Sequence, residues 1–113
     1  MEKVIITICK NRKVKKSREF IGVCGEEKLE ELIVDFDNAD DFIDGNATVE
    51  IEKNGEKASV PLEKVQEDKY YKTAIQGELV NCACTLKMQV KIPTDNKTFK
   101  SEIFNMICKE SIN

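Results

Sequence analysis

From Thr85 to Ile92 the chain reads TLKMQVKI, and every second residue is apolar. Leu86, Met88, Val90 and Ile92 form one set, and Thr85, Lys87, Gln89 and Lys91 form the other. An extended backbone sends successive side chains to opposite faces, so this rhythm suits a strand with one buried face. On a helix of 3.6 residues per turn the same residues would scatter round the cylinder. Similar alternation recurs along the chain. VIITIC sets Val4, Ile6 and Ile8 against Ile5, Thr7 and Cys9, and ELIVDFD sets Leu32, Val34 and Phe36 against Ile33 and Asp35.

The clearest hairpin lies in DGNATVEIEKNGEKASVPL. Val49 and Ile51 alternate with Glu50 and Glu52, and Asn54-Gly55 supplies the two residues of a tight left-handed turn. Pro61 has no N–H to give to a ladder, so the return strand belongs at an edge or a bulge. VIITIC and REFIGVC, joined by the basic stretch KNRKVKKS, read as a hairpin or a pair of neighbouring strands. YYKTAIQG gives a further strand, in which alternation puts Tyr70 and Tyr71 on opposite faces. The last residues, SEIFNMICKESIN, also read as a strand, one that either completes a core or presents an edge. Helix signals are weak: Glu26 to Leu32 in GEEKLEELI, and DNADDFID, are the only candidates for a turn or two. The expectation is an all-β chain, an antiparallel β-sandwich of seven to eight short strands at roughly ten-residue spacing. With 113 residues and no linker or repeat, it forms one domain over 1–113.

Charge and residue usage then exclude several classes of function. A net charge of −3 and a pI near 5.1 argue against general affinity for nucleic acid or an anionic membrane. No stretch approaches the roughly 20 apolar residues that span a bilayer. The opening MEKVIITICKNRK lacks the features of a secretory signal, so synthesis in a cytoplasm is expected. Histidine is absent, which removes the commonest base near neutral pH and the commonest metal ligand. Catalysis is not expected, nor is a cofactor.

The five cysteines, Cys9, Cys24, Cys82, Cys84 and Cys108, are an odd number and read as reduced, mostly core thiols. Cys82-Ala-Cys84 could bring two sulfurs to one side of a strand, but a zinc site needs two more ligands at a recognisable spacing. The acidic run DFDNADDFIDG fails the calcium-loop register, with Ala39 at a ligand position and Asp40 at the glycine position. No metal is expected. The basic run Lys10, Arg12, Lys13, Lys15, Lys16 and Arg18 has neither interleaved aromatics nor a glycine-rich cradle. It reads as a solvated hairpin tip that can also orient docking on an acidic protein neighbour.

The C-terminal half carries a resemblance. GNATVEIEKNGEKASVPLEKV, a strand, and then IQGELVNCACTLKMQVKIPTDNKTFKSEIFNMICKESIN are similar to the small β-sandwich module of phage tail and baseplate proteins from phages of Gram-positive bacteria. Gly77-Glu78-Leu79 resembles that family's G-x-L step. Lys100 to Phe104, with Ser111 to Asn113, resembles its K-S-E-I-F … S-I-N ending. The opening strand and EFIGVCGEEK are also similar.

The resemblance implies an upper-baseplate or tail-fibre-anchoring module, of a kind also used in phage-tail-like bacteriocin particles. In larger members it anchors a receptor-binding or fibre region; a chain ending at SIN is expected to be a structural or adaptor subunit. Expected partners are other tail, baseplate or fibre proteins, or further copies in a symmetric assembly, with no membrane and no nucleic acid. Synthesis in the host cytoplasm and assembly into a virion or tail-like particle follow. The docking residues expected are Lys13, Lys15, Lys16, Arg18, Glu110, Ser111, Ile112 and Asn113, with Ile112 packed near the sandwich rim. Two other readings remain: a phage-encoded inhibitor of a host defence enzyme, and a glycan-binding module, which the absence of tryptophan disfavours.

Overall fold

The computed structural model describes residues 3–24, 28–37, 45–65, 70–76 and 84–110. Its strands are β1 (Lys3–Ile8), β2 (Val14–Lys16), β3 (Phe20–Val23), β4 (Lys28–Phe36), β5 (Thr48–Lys53) and β6 (Glu56–Pro61), then β7 (Glu63–Lys64), β8 (Tyr70–Gln76), β9 (Cys84–Pro93), β10 (Thr98–Lys100) and β11 (Phe104–Lys109). One sheet has the order β2-β1-β4-β8-β7; the other runs β3-β11-β9-β5-β6, with β10 also paired to β9. The chain is an all-β sandwich, as the alternation implies. Between the sheets lie Val4, Ile6, Leu32, Val34, Tyr71 and Ile75 from one layer and Ile21, Val49, Leu86, Met88, Val90 and Met106 from the other. Leu86, Met88, Val90 and Ile92 are all buried, and their alternate neighbours face outward.

The NG hairpin forms as expected. Asn54 (φ 51°) and Gly55 (φ 86°) are both left-handed, and β6 is the edge strand. Thr48 lies opposite Pro61, and Leu62 donates to the Ala47 carbonyl at 2.9 Å. Antiparallel ladders alternate bonded and unbonded pairs, so Pro61 falls at an unbonded pair, where the missing N–H would have faced away from β5.

Three expectations need correction. The sheets are mixed rather than purely antiparallel: β1 pairs in parallel with β4, and β3 with β11. Period two reports which face a residue takes and says nothing of strand direction. The chain leaves β1–β2, crosses to the other sheet as β3, and returns beside β1 as β4, so it arrives in the same direction. REFIGVC is therefore no partner of VIITIC; β1 pairs instead with β2, inside the stretch read as a turn. The strand number, eleven among the described residues, exceeds seven to eight because β2, β7 and β10 have only two or three residues each. Short pairings of that kind leave little periodicity to read.

The third correction concerns the helical turn expected over Glu26 to Leu32, whose described part, from Lys28, is strand β4. Leu29 and Leu32 are both buried although three residues apart, a helical spacing. A register shift between Lys28 and Glu31 reconciles the two, because an extra residue in a strand returns the next apolar side chain to the same face. The DNADDFID turn falls at 38–44, outside the described residues except for exposed Asp37. A short 3-10 turn does occur, at Lys10–Arg12.

Candidate docking surface

The basic run is not a free tip. Its first part is the Lys10–Arg12 turn, in which Asn11 (φ 65°) and Arg12 (φ 69°) are left-handed, and it continues as β2. From there to Cys24 the chain is stitched to the residues around β11. The Glu102 N–H donates to the Arg12 carbonyl at 3.0 Å, and Val14 N–H donates to Glu102 Oε1 at 2.7 Å. The Lys16 ammonium donates to the Asn105 carbonyl at 2.7 Å and to Glu19 Oε2 at 2.8 Å. Ile107 N–H then donates to the Glu19 carbonyl at 2.9 Å, and Cys24 N–H to the Lys109 carbonyl at 2.8 Å. Residues 12–24 thus follow 102–109 in step and in the same direction. Asn tolerates the left-handed region, whereas Arg12 is strained there; the turn is held by Cys9 N–H to the Lys13 carbonyl at 2.7 Å, Arg12 N–H to the Cys9 carbonyl at 3.1 Å, and the bond from Glu102.

The Ser101–Ile103 segment explains why SEIF is distinctive. β10 and β11 pair with successive stretches of β9, and the chain breaks out of the ladder between them. Ser101 is buried at 2% exposure and fills the gap. Its N–H donates to the Val90 carbonyl, its Oγ accepts from Val90 N–H, both at 3.0 Å, and its carbonyl accepts from Gln89 Nε2 at 2.9 Å. The break throws Glu102 toward Arg12 and Val14, leaves Ile103 62% exposed, and returns Phe104 to the core. Ser101, Glu102 and Phe104 thus have separate structural roles, and Ile103 faces solvent.

β11 lies between β3 and β9, so the closing strand completes the core. Phe104, Met106 and Cys108 point inward; Asn105, Ile107 and Lys109 point outward. Ile107 pairs with Phe20 of β3, and the Arg18 guanidinium and Lys109 ammonium each lie 3.7 Å from the Phe20 ring centroid. Further across this face, a shallow groove of about 480 Å³ is lined by Glu50, Glu52, Lys57, Lys87, Lys91 and Ile103. An ion pair of 3.6 Å joins Lys91 to Glu50 within it. The groove offers mixed charge with no aromatic platform.

Of the expected docking residues, Lys13, Lys15 and Glu110 are exposed, Lys16 is half-buried against Glu19 and Asn105, and Arg18 is stacked on Phe20. Ser111, Ile112 and Asn113 lie outside the described residues, as do Gly77-Glu78-Leu79 and Cys82. Phe20, Ile107 and Lys109 were not anticipated. Alternation in FNMICK puts Ile107 and Lys109 outward, but nothing local says that Phe20 lies alongside.

Other chemistry finds little support. Cys108 is buried, and Cys9 and Cys24 are half-buried free thiols. No group of three or more potential metal-ligating side chains occurs among the described residues. Tyr71 is core, its hydroxyl donating to the Gly45 carbonyl at 3.1 Å across the two layers. Gly45 itself is pressed so close to β9 that a Cβ would lie 2.7 Å from the Pro93 carbonyl oxygen. Among the described residues no helix is long and apolar enough to cross a membrane.

No protein-family model matches the sequence, and no curated protein matches it. A solved structure does share its fold. The chain is similar to the N-terminal domain of phage TP901-1 ORF48. The TM-score is 0.57 and the identity 8%, over 96% of this chain and 99% of the ORF48 domain. A match running nearly end to end on both sides makes the sandwich comparable as a whole; at this identity the likeness is one of fold.

Proposed function

We propose that this chain is a non-catalytic structural or adaptor subunit of a phage tail or phage-tail-like baseplate, docking neighbouring tail or fibre proteins. The observation that carries the reading is the near-complete match in fold to a domain of a phage protein. The sequence resemblance to tail and baseplate modules, centred on Lys100–Phe104, supports it independently of the coordinates. The structure gives that motif a structural role, since Ser101 ties the link between β10 and β11 to β9 and Glu102 ties it to the basic arm. An acidic sandwich that carries a basic arm suits repeated weak contacts in a symmetric particle, where tethered interfaces reinforce one another.

Co-expression with the genes that flank it in a tail cluster tests the proposal. A complex with one of those products is the expected result. Recovery of a host enzyme from infected cells, with no tail protein bound, would instead favour the inhibitor reading.

A further inference from the structure

Most of the outer surface matches charges across strands: Lys3 lies opposite Glu31 and Lys72 opposite Glu63 on the five-stranded sheet, and on the other sheet Glu52 lies opposite both Lys57 and Lys87 while Lys53 lies opposite Glu56. The exposed apolar residue of the five-stranded sheet, Ile5, sits beside Ile33 within that balanced field. The β3–β11 margin of the six-stranded sheet is different. On the six-stranded sheet, the outward row Ile103, Asn105, Ile107 and Lys109 includes two of the most exposed large apolar side chains, at 62% and 41%. Beside Ile107 stands Phe20, with Arg18 and Lys109 over its ring. Among the described residues Lys109 has no carboxylate within ion-pair distance. Of the six cations in residues 10–19, Lys15 and Lys16 belong to β2 of the five-stranded sheet, and Arg18 is the one that lies over Phe20.

We propose that the Phe20–Ile107 pair, framed by Arg18 and Lys109 and extended by Ile103, docks an extended protein segment in which carboxylates flank aliphatic side chains. This deepens the docking reading above and rests on it. Charge complementarity fixes the sign of the partner, because the patch is cationic on an acidic chain. The apolar order fixes its form: Ile107 lies outward on β11 beside Phe20 and Ile103 is exposed just before that strand, a succession that same-face side chains of an extended segment can follow. Aromatic and arginine side chains at the centre of such a patch supply the desolvated contacts that dominate interface energies. Nucleic acid fits less well. The patch holds a single aromatic ring, with Arg18 and Lys109 already over it, and so offers no row of rings on which successive bases stack.

The test is a nuclear magnetic resonance titration of the whole protein with three probes: a blocked Glu-Ser-Val-Ser-Leu-Ser-Val-Ser-Glu peptide, whose acids and aliphatic side chains share one face when extended, its Lys-for-acid counterpart, and decathymidylate. The acidic peptide is expected to shift the amides of Phe20, Ile107 and Lys109, and Lys109→Glu or Ile107→Asp to weaken it about fivefold. Both substitutions lie at exposed positions, and an unchanged amide spectrum elsewhere verifies that the fold is kept. The proposal is overturned if the two peptides act alike, if no shift appears at the patch, or if decathymidylate binds more tightly. Its failure would leave the tail-subunit reading intact, because co-purification with tail proteins tests that separately. Binding of the acidic peptide without any tail partner would do the reverse.

Discussion

Two arms of this sandwich turn a strand back at a sheet edge, and they do so by opposite means. The β5–β6 hairpin carries its instructions locally: Asn54 and Gly55 adopt the left-handed turn, and Pro61 occupies a position where no N–H is needed. The β1–β2 arm has no such turn sequence. It places Asn11 and Arg12 in left-handed conformations without glycine at the second position, closes the turn with Cys9 N–H donating to the Lys13 carbonyl at 2.7 Å, and adds ties to Glu102 and Asn105, almost ninety positions away. A turn of the first kind is readable in a few residues. The second is a tertiary contact, and its sequence shows only a run of positive charge.

Substitutions can break or sharpen that contrast. The largest effect is expected at Met106, fully buried in the strand that holds the basic arm. Met106→Ala should cost about 2 to 5 kcal/mol in chemical denaturation, with both arms lost in a single transition. Ser101→Ala comes next. It leaves the Val90 N–H without its acceptor in a buried position, at about 1 to 3 kcal/mol. Amide exchange should quicken at Val90 before it does along β5 and β6.

Gly55→Ala acts on the other arm. Nothing lies within 4 Å of the added Cβ, so the cost is that of the left-handed conformation alone, about 1 to 2 kcal/mol. The β5–β6 amides should loosen while Val14 keeps its protection. Smallest is Glu102→Ala, an exposed contact worth about 0.5 to 1 kcal/mol. Its signature is selective: faster exchange at the Val14 amide with no change at the NG hairpin. Unchanged exchange at Val14 in Glu102→Ala would show that the β1–β2 arm does not depend on that carboxylate, and equal loosening of both arms would show that its effect is global rather than local.

The same division explains what the sequence made legible. The inward set of β9, the NG hairpin and the edge position of Pro61 follow from neighbours in the chain. Strand direction does not, because parallel and antiparallel strands share the same alternation, and so β1 beside β4 came as a correction. The turn expected over Glu26 to Leu32 is strand from Lys28 onward, with a bulge that puts Leu29 and Leu32 on one face at a helical spacing. At the candidate site, Lys13 and Lys15 were identified as exposed cations from composition alone. The Phe20–Ile107 contact was beyond reach, because it joins positions 20 and 107 through a parallel pairing that no local pattern encodes.

The central claim, that this sandwich is a building block of a tail or tail-like particle, meets its most direct test in quantitative mass spectrometry of purified particles. The account predicts that the polypeptide is present at a fixed ratio to the other tail proteins. Its absence from particles that are otherwise complete would contradict the account.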